Sequence, residues 1–200
     1  MTNNPYAGAD ERMLLASARF ALHRTVQEDL PLKQIQTQLR QQFPHLSAQV
    51  EAPAACFVTF FMRGDGLLRG CMGTLAPRQA LIDEVAESTV NTAQHDPRFH
   101  PVTASEAIHI QIELSILTES TPLPYSDPDD LLNKLTPYQD GVTLCYGNYR
   151  ATFLPQVWEN LPDPVMFLNH LCQKMGVTPD FWETTPLEVE TYQAIKLVES

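Results

Sequence analysis

The segment Ile108 to Thr118 constrains the fold more than any other stretch of the chain. Ile108, Ile110, Ile112, Leu114 and Ile116 alternate with His109, Gln111, Glu113, Ser115 and Leu117. Successive side chains of a strand point to opposite sides, so this period of two describes a sheet strand with one apolar and one mainly polar face. Such a strand needs partner strands beside it and a layer over its apolar face. One pair of partners is readable directly. Cys56-Phe-Val-Thr-Phe-Phe-Met62 is aromatic and β-branched, Arg63-Gly64-Asp65-Gly66 is a tight turn, and Leu67 to Thr74 returns as the second arm of a hairpin. With Gly64 and Asp65 at the turn centre, paired positions sum to 129. That register sets Cys71 opposite Val58 and Arg69 opposite Phe60.

The covering layer is helical. An apolar stripe runs from Asp10 to Leu30, with Asp10 as the expected N-cap. A weaker helix passes through Ile35, Leu39 and Phe43. Pro77 opens a longer one through Leu81, Val85, Val90 and Ala93, which ends at His95-Asp-Pro-Arg-Phe-His-Pro101. Residues 119 to 129 read as a loop, followed by a short helix with an acidic first turn after Asp127. Gly141 to Cys145 and Tyr149 to Leu154 form a second hairpin on Gly147-Asn148. Asp163-Pro164 starts a helix that Gly176 ends, and Leu187 to Val198 reads as one last strand. Helices at both ends of mixed strands predict an α+β fold with a mainly antiparallel sheet and flanking helices. No repeat or long linker divides the 200 residues, so a single domain is expected, with its ordered core from about residue 10.

Composition narrows the function classes. With 44% hydrophobic residues the chain can bury a sizeable core, which excludes a disordered tail. No apolar run approaches the length of a membrane span. The segment Met1 to Asp10 lacks the basic start and apolar stretch of a secretory leader, so a cytoplasmic protein is expected. The formal net charge of −11, without a basic cluster, argues against nucleic-acid binding. The four cysteines, Cys56, Cys71, Cys145 and Cys172, form no CxxC pair. A zinc site from Cys145, Cys172 and His170 lacks the usual spacing, and no metal or cofactor is expected.

Chemistry concentrates in Leu68-Arg69-Gly70-Cys71-Met72-Gly73-Thr74. Positions two apart in a strand share a face, so Arg69 would stand beside the Cys71 sulfur, where a cation favours thiolate. Gly70 and Gly73 strip side chains from beside Cys71, leaving room for a ligand or for another backbone. The alternative is a buried strand cysteine whose glycines serve packing. Asp96-Pro97-Arg98-Phe99 is the second candidate. Asp96 would cap its turn or hold Arg98 in a bidentate pair, or Arg98 would orient an anionic substrate. Glu113 is the third, as a base or as the partner of Arg69 if its strand face lines the same cleft. A pairing of Cys71 with His95 or His100 depends on tertiary geometry.

The cysteine segment closely resembles the Leu-Arg-Gly-Cys-Ile-Gly-Thr motif of the AMMECR family, named after a chromosomal region linked to Alport syndrome, midface hypoplasia and elliptocytosis. Asp96-Pro-Arg-Phe99 and Ile112-Glu-Leu-Ser-Ile-Leu117 are similar to two further family motifs. Gly141-Val142, Phe153-Leu-Pro-Gln-Val157, the Leu171-Cys172 helix with Gly176, and Trp182 follow in the same order. Met72 stands where the family usually has Ile, a mild apolar swap. The resemblance spans about residues 10–200. It implies an α+β fold with a larger and a smaller subdomain flanking a cleft near the Arg-Gly-Cys motif. It also implies partnership with a Memo-like protein and a radical S-adenosylmethionine protein, and names no reaction. The resulting expectation is an enzyme or enzyme subunit using Cys71 in a cleft for nucleophilic or redox chemistry, in which Cys71, Arg69 and Glu113 are catalytic. Gly70, Gly73, Thr74, Asp96 and Arg98 would contact the substrate, a small molecule or protein group. The alternative is a non-catalytic adaptor acting with those two partners.

Overall fold

The computed structural model describes residues 4–200; residues 1–3, part of the segment read for a leader, lie outside the described residues. In chain order the elements are helices α1 (Ala9–Glu28), α2 (Leu32–Gln42) and α3 (Ala48–Glu51), strands β1 (Cys56–Met62) and β2 (Leu68–Gly73), helices α4 (Leu81–Gln94) and α5 (Ala104–Ala107), and strands β3 (Ile110–Leu117) and β4 (Thr121–Pro122). They continue with α6 (Pro128–Lys134), strands β5 (Gly141–Tyr146) and β6 (Tyr149–Phe153), a 3-10 turn (Pro155–Glu159), helices α7 (Pro164–Met175) and α8 (Phe181–Thr184), and strands β7 (Glu188–Tyr192) and β8 (Ala194–Val198). The strands form two four-stranded antiparallel sheets, ordered β2-β1-β3-β8 and β4-β7-β5-β6. The fold is α+β, as the sequence predicts. Among the described residues no helix is long and apolar enough to cross a membrane.

The described chain divides into two compact units, one reaching to residue 117 and including 195–200, the other residues 118–194. In the first, β3 is central. Its alternation is realised at Ile110, Ile112, Leu114 and Ile116, each at most 1% exposed, while Ile108 precedes the strand and is exposed. The buried face meets Val58 and Phe60 of β1, Leu14 and Leu22 of α1 and Val85 of α4 in one core. Each such side chain contributes roughly 1.5–3 kcal/mol by leaving water. β8 closes the sheet. The Thr118 N–H donates to the Gln193 oxygen and the Glu199 N–H to the Ile112 oxygen, so β8 runs antiparallel to β3. Arg19 of α1 clasps this edge: it donates to the carbonyls of Ala107 (2.8 Å) and Ile110 (2.6 Å) and to both oxygens of Glu199.

The second unit has its own core. Trp158 is wholly buried and stacks on Phe167 at 3.7 Å between ring centroids and 7° between planes. Its indole N–H donates to the Asp140 carbonyl at 2.7 Å, so the ring's one polar atom is satisfied. Asp163 caps α7 through the Met166 N–H, and Gly176 takes the left-handed conformation at its end, φ 92°.

Four sequence expectations change. Asp10 lies inside the first turn of α1, whose N-cap is Gly8; its carboxylate accepts from Ser47 instead. α4 starts at Leu81 and not at Pro77. The loop 119–129 contains the two-residue strand β4, paired with β7. The last strand is two strands in different sheets, broken at Gln193, whose N–H and carbonyl both bond Thr118. Hydrophobic pattern locates a strand but does not say which sheet receives it. Trp158→Ala is expected to cost the second unit about 3–5 kcal/mol. Chemical denaturation will read the loss, and amide exchange should accelerate most within residues 118–194.

Candidate functional site

The first hairpin begins in the predicted register and then departs from it. Around the turn the Met62 N–H donates to the Leu67 carbonyl and the Gly66 N–H to the Met62 carbonyl, with φ of 108° at Gly64 and 69° at Gly66. Phe61 faces Leu68, a sum of 129, but Phe60 faces Gly70, Thr59 faces Cys71 and Val58 faces Met72, a sum of 130. Arg69 is the extra residue of a β-bulge. The predicted pairings are therefore corrected: Cys71 stands opposite Thr59, not Val58, and Arg69 has no residue opposite it. A bulge of one residue shifts every later pairing by one, and turn chemistry alone does not reveal it.

The bulge redirects Arg69. Its guanidinium meets Glu106 at 3.1 Å and the His100 carbonyl at 3.0 Å, and lies 5.7 Å over the Phe99 ring. Glu106 also closes a capping box with Thr103 at the start of α5. The Arg69 hydrogen bond, then the Thr103 N–H, holds the Glu106 carboxyl down to about 2. The Thr103-x-x-Glu106 spacing was the available sequence signal for this partner. Glu113 is not the partner of Arg69; it pairs with Lys196 at 3.5 Å.

Asp96 and Arg98 take hold of Cys71 itself. β2 is an edge strand, and the Cys71 N–H and carbonyl point away from β1. The Asp96 carboxylate accepts that N–H at 2.8 Å, and the Arg98 guanidinium donates to that carbonyl at 3.2 Å. Between themselves the two form a bidentate pair, Nε to Oδ1 at 2.9 Å and Nη2 to Oδ2 at 2.7 Å. One acid–guanidinium pair thus supplies both hydrogen bonds that a neighbouring strand would give. The Asp96 side chain is 2% exposed, and the Arg98 hydrogen bond holds its carboxyl well below the usual carboxylate range.

The glycines of the motif serve close approach. A Cβ on Gly70 would lie 2.9 Å from the Thr92 methyl of α4, and one on Gly73 would lie 2.3 Å from the Cys56 carbonyl oxygen. Thr92 also reaches the hairpin, its hydroxyl accepting from the Met72 N–H at 3.1 Å and lying 3.0 Å from the Val58 oxygen. Thr74 folds onto its own loop, bonding Ala76 and receiving Arg78 at 3.1 Å.

On the sheet face away from α4, cross-strand neighbours form a row. Thr59 lies between Cys71 and Glu113, opposite both. The Thr59 hydroxyl donates to the Cys71 sulfur at 3.3 Å. Neither His95 nor His100 hydrogen-bonds that sulfur. With strands about 4.8 Å apart, Glu113 stands roughly 10 Å from Cys71 along the row, within reach of a bound molecule but not of the sulfur directly. Cys71 is half-buried, whereas Cys56 and Cys172 are buried and burial foremost pushes both thiols up. Among the described residues no group of three His, Cys, Asp or Glu side chains is placed to hold a metal ion.

Depressed carboxylates carry a sign for pH. Asp96 and Glu106 add stability that is complete above about pH 4, the unfolded carboxylate value. It is lost as pH falls through their lowered folded values. Asp96→Asn is expected to cost roughly 2 kcal/mol near neutral pH. It should also flatten the loss of stability between about pH 4 and about pH 2, read by denaturant titration across pH. Gly73→Ala should cost about 1–3 kcal/mol by overpacking, read in the same titration.

A sequence model of the AMMECR1 family matches residues 16–197. Protein MJ0810 of Methanocaldococcus jannaschii is 37% identical over 144 residues, which cover 70% of this chain and 70% of that protein. Protein MK0488 of Methanopyrus kandleri is 34% identical over 140 residues, 69% of this chain and 68% of the other. The crystal structure of the uncharacterized protein PH0010 from Pyrococcus horikoshii superposes with a TM-score of 0.72 at 25% identity, over 92% of this chain and 88% of that one. The chain belongs to the AMMECR1 family.

Proposed function

We propose that this AMMECR1 protein is an enzyme or enzyme subunit that uses the Cys71 thiol as a nucleophile. The observation that carries this reading is the clamp on Cys71. A half-buried thiol is presented on an edge strand whose free N–H and carbonyl at Cys71 are held by Asp96 and Arg98, while the Thr59 hydroxyl orients the sulfur. A nucleophile fixed in this way enters the reaction without first being ordered. In the step proposed, sulfur forms a bond to an electrophilic carbon of the substrate, the leaving group departs with the bonding electrons, and the thiol proton passes to solvent. Arg98, half-exposed beside Cys71, is the candidate for orienting an anionic group of the substrate, and Glu113 for a contact farther along the row. Arg69, expected beside the sulfur, has the supporting role of holding α5 to the bulge.

A second reading is favoured by how much of the motif the fold itself uses. Gly70, Gly73, Thr74 and Arg69 all have packing or ion-pair roles. On that reading Cys71 is structural, and the protein is an adaptor for a Memo-like protein and a radical S-adenosylmethionine protein.

Iodoacetamide labelling against pH separates the two. On the enzyme reading Cys71 reacts faster near neutral pH than a free model thiol, while Cys56 and Cys172 stay unlabelled in the folded protein. Thr59→Val and Arg98→Gln slow the labelling several-fold. Labelling no faster than the model thiol, together with capture of the two partners undiminished by Cys71→Ser, would establish the adaptor reading.

A further inference from the structure

The second unit carries a groove that the cysteine motif does not involve. It encloses about 640 Å3 between residues 122–128 and residues 182–190. Its floor is apolar and rigid. Trp182, Leu187 and Val189 are buried beneath it, and Pro122, Pro124 and Pro186 form its edges. Proline offers no N–H and a fixed φ, so these edges neither invite strand pairing nor rearrange easily. The two walls are tied together: the Tyr125 hydroxyl accepts from the Leu187 N–H at 2.7 Å and donates to the Leu187 carbonyl at 3.1 Å. Trp182 is held by its indole N–H on the Asn169 side chain at 2.7 Å. The groove is therefore formed before anything enters it, which lowers the ordering cost of binding.

Its charge is one-sided. Asp127, Glu183, Glu188 and Glu190 line it, and no Lys, Arg or His does. Arg150 neutralises Glu190 from outside the lining, and Asp127 caps α6. Glu183 and Glu188 are exposed, and neither side-chain carboxylate accepts a hydrogen bond or joins an ion pair. An apolar floor beneath two unpaired carboxylates complements apolar side chains flanked by positive charge. The exposed rim suits a chain running through the groove better than a small molecule, which its site ordinarily encloses. Pro122 occupies the edge strand β4, so recognition falls to side chains rather than to an added strand.

We propose that this groove is a docking site for an extended segment of a partner protein, carrying apolar residues next to Lys or Arg. The site is independent of Cys71. The test selects binders to the full chain from a random-peptide phage library and measures them by calorimetry and amide chemical shifts. Selected peptides should combine Lys or Arg with Leu, Ile or Phe and shift residues 122–128 and 182–190. The double variant Glu183→Gln with Glu188→Gln, at two exposed positions whose carboxylates have no hydrogen-bond or ion-pair partner, should keep its unfolding midpoint and its Cys71 labelling rate. It should bind about fivefold more weakly, the scale of two rim charges. The proposal is overturned if no peptide is selected, if the selected peptides lack basic residues or shift other surfaces, or if the double variant binds as tightly.

Discussion

The Asp96 carboxylate accepting the Cys71 N–H is the contact on which the first unit's edge depends. An edge strand exposes one N–H and one carbonyl at every second residue, and each must find water or a partner. At Cys71 the partner is a side-chain pair projecting from the turn after α4. Because Asp96 is almost wholly buried, its charge requires the guanidinium that chelates it, and that guanidinium in turn covers the Cys71 carbonyl. Phe99 sits with both Arg98 and Arg69 over its ring, at 5.5 and 5.7 Å, and spaces the two guanidiniums. The Asp-Pro-Arg-Phe motif and the cysteine motif are therefore two halves of one construction.

The bulge at Arg69 divides the labour within the cysteine motif. Before it, the strand follows the turn; after it, every side chain has moved one place against β1. That shift brings the small polar Thr59, rather than Val58, to the sulfur. It also releases Arg69 from the ladder to anchor α5 through Glu106. Gly70 lets Thr92 of α4 approach, and Gly73 lets the strand end close on Cys56. The Gly70 side of the motif is committed to packing against α4. The other carries Cys71, Thr59 and Glu113 in a row, with Cys71 half-buried and Thr59 buried.

The net charge of −11 acquires local meaning in the second unit. Most of the carboxylates in the first unit's clasps face guanidiniums: Glu199 meets Arg19 and Arg63, Asp83 meets Arg40, and Glu106 meets Arg69. Glu183 and Glu188 do not, and they flank an apolar groove. Excess acidity placed where nothing neutralises it is a surface property that composition states only as a total.

Periodicity and turn residues by themselves determined the α+β class, the central strand β3, the second hairpin on Gly147-Asn148 and the capped helix α7, because these signals are local to a few neighbouring residues. Family membership was legible for a related reason, since the motifs are short contiguous strings. Tertiary structure alone decided that Leu187 to Val198 splits between two sheets, that a bulge moves Cys71 opposite Thr59, and that Arg69 joins Glu106 while Glu113 joins Lys196. The register of a ladder and the choice of an ion-pair partner depend on which distant segments meet. A single residue's displacement changes both without changing the hydrophobic pattern at all.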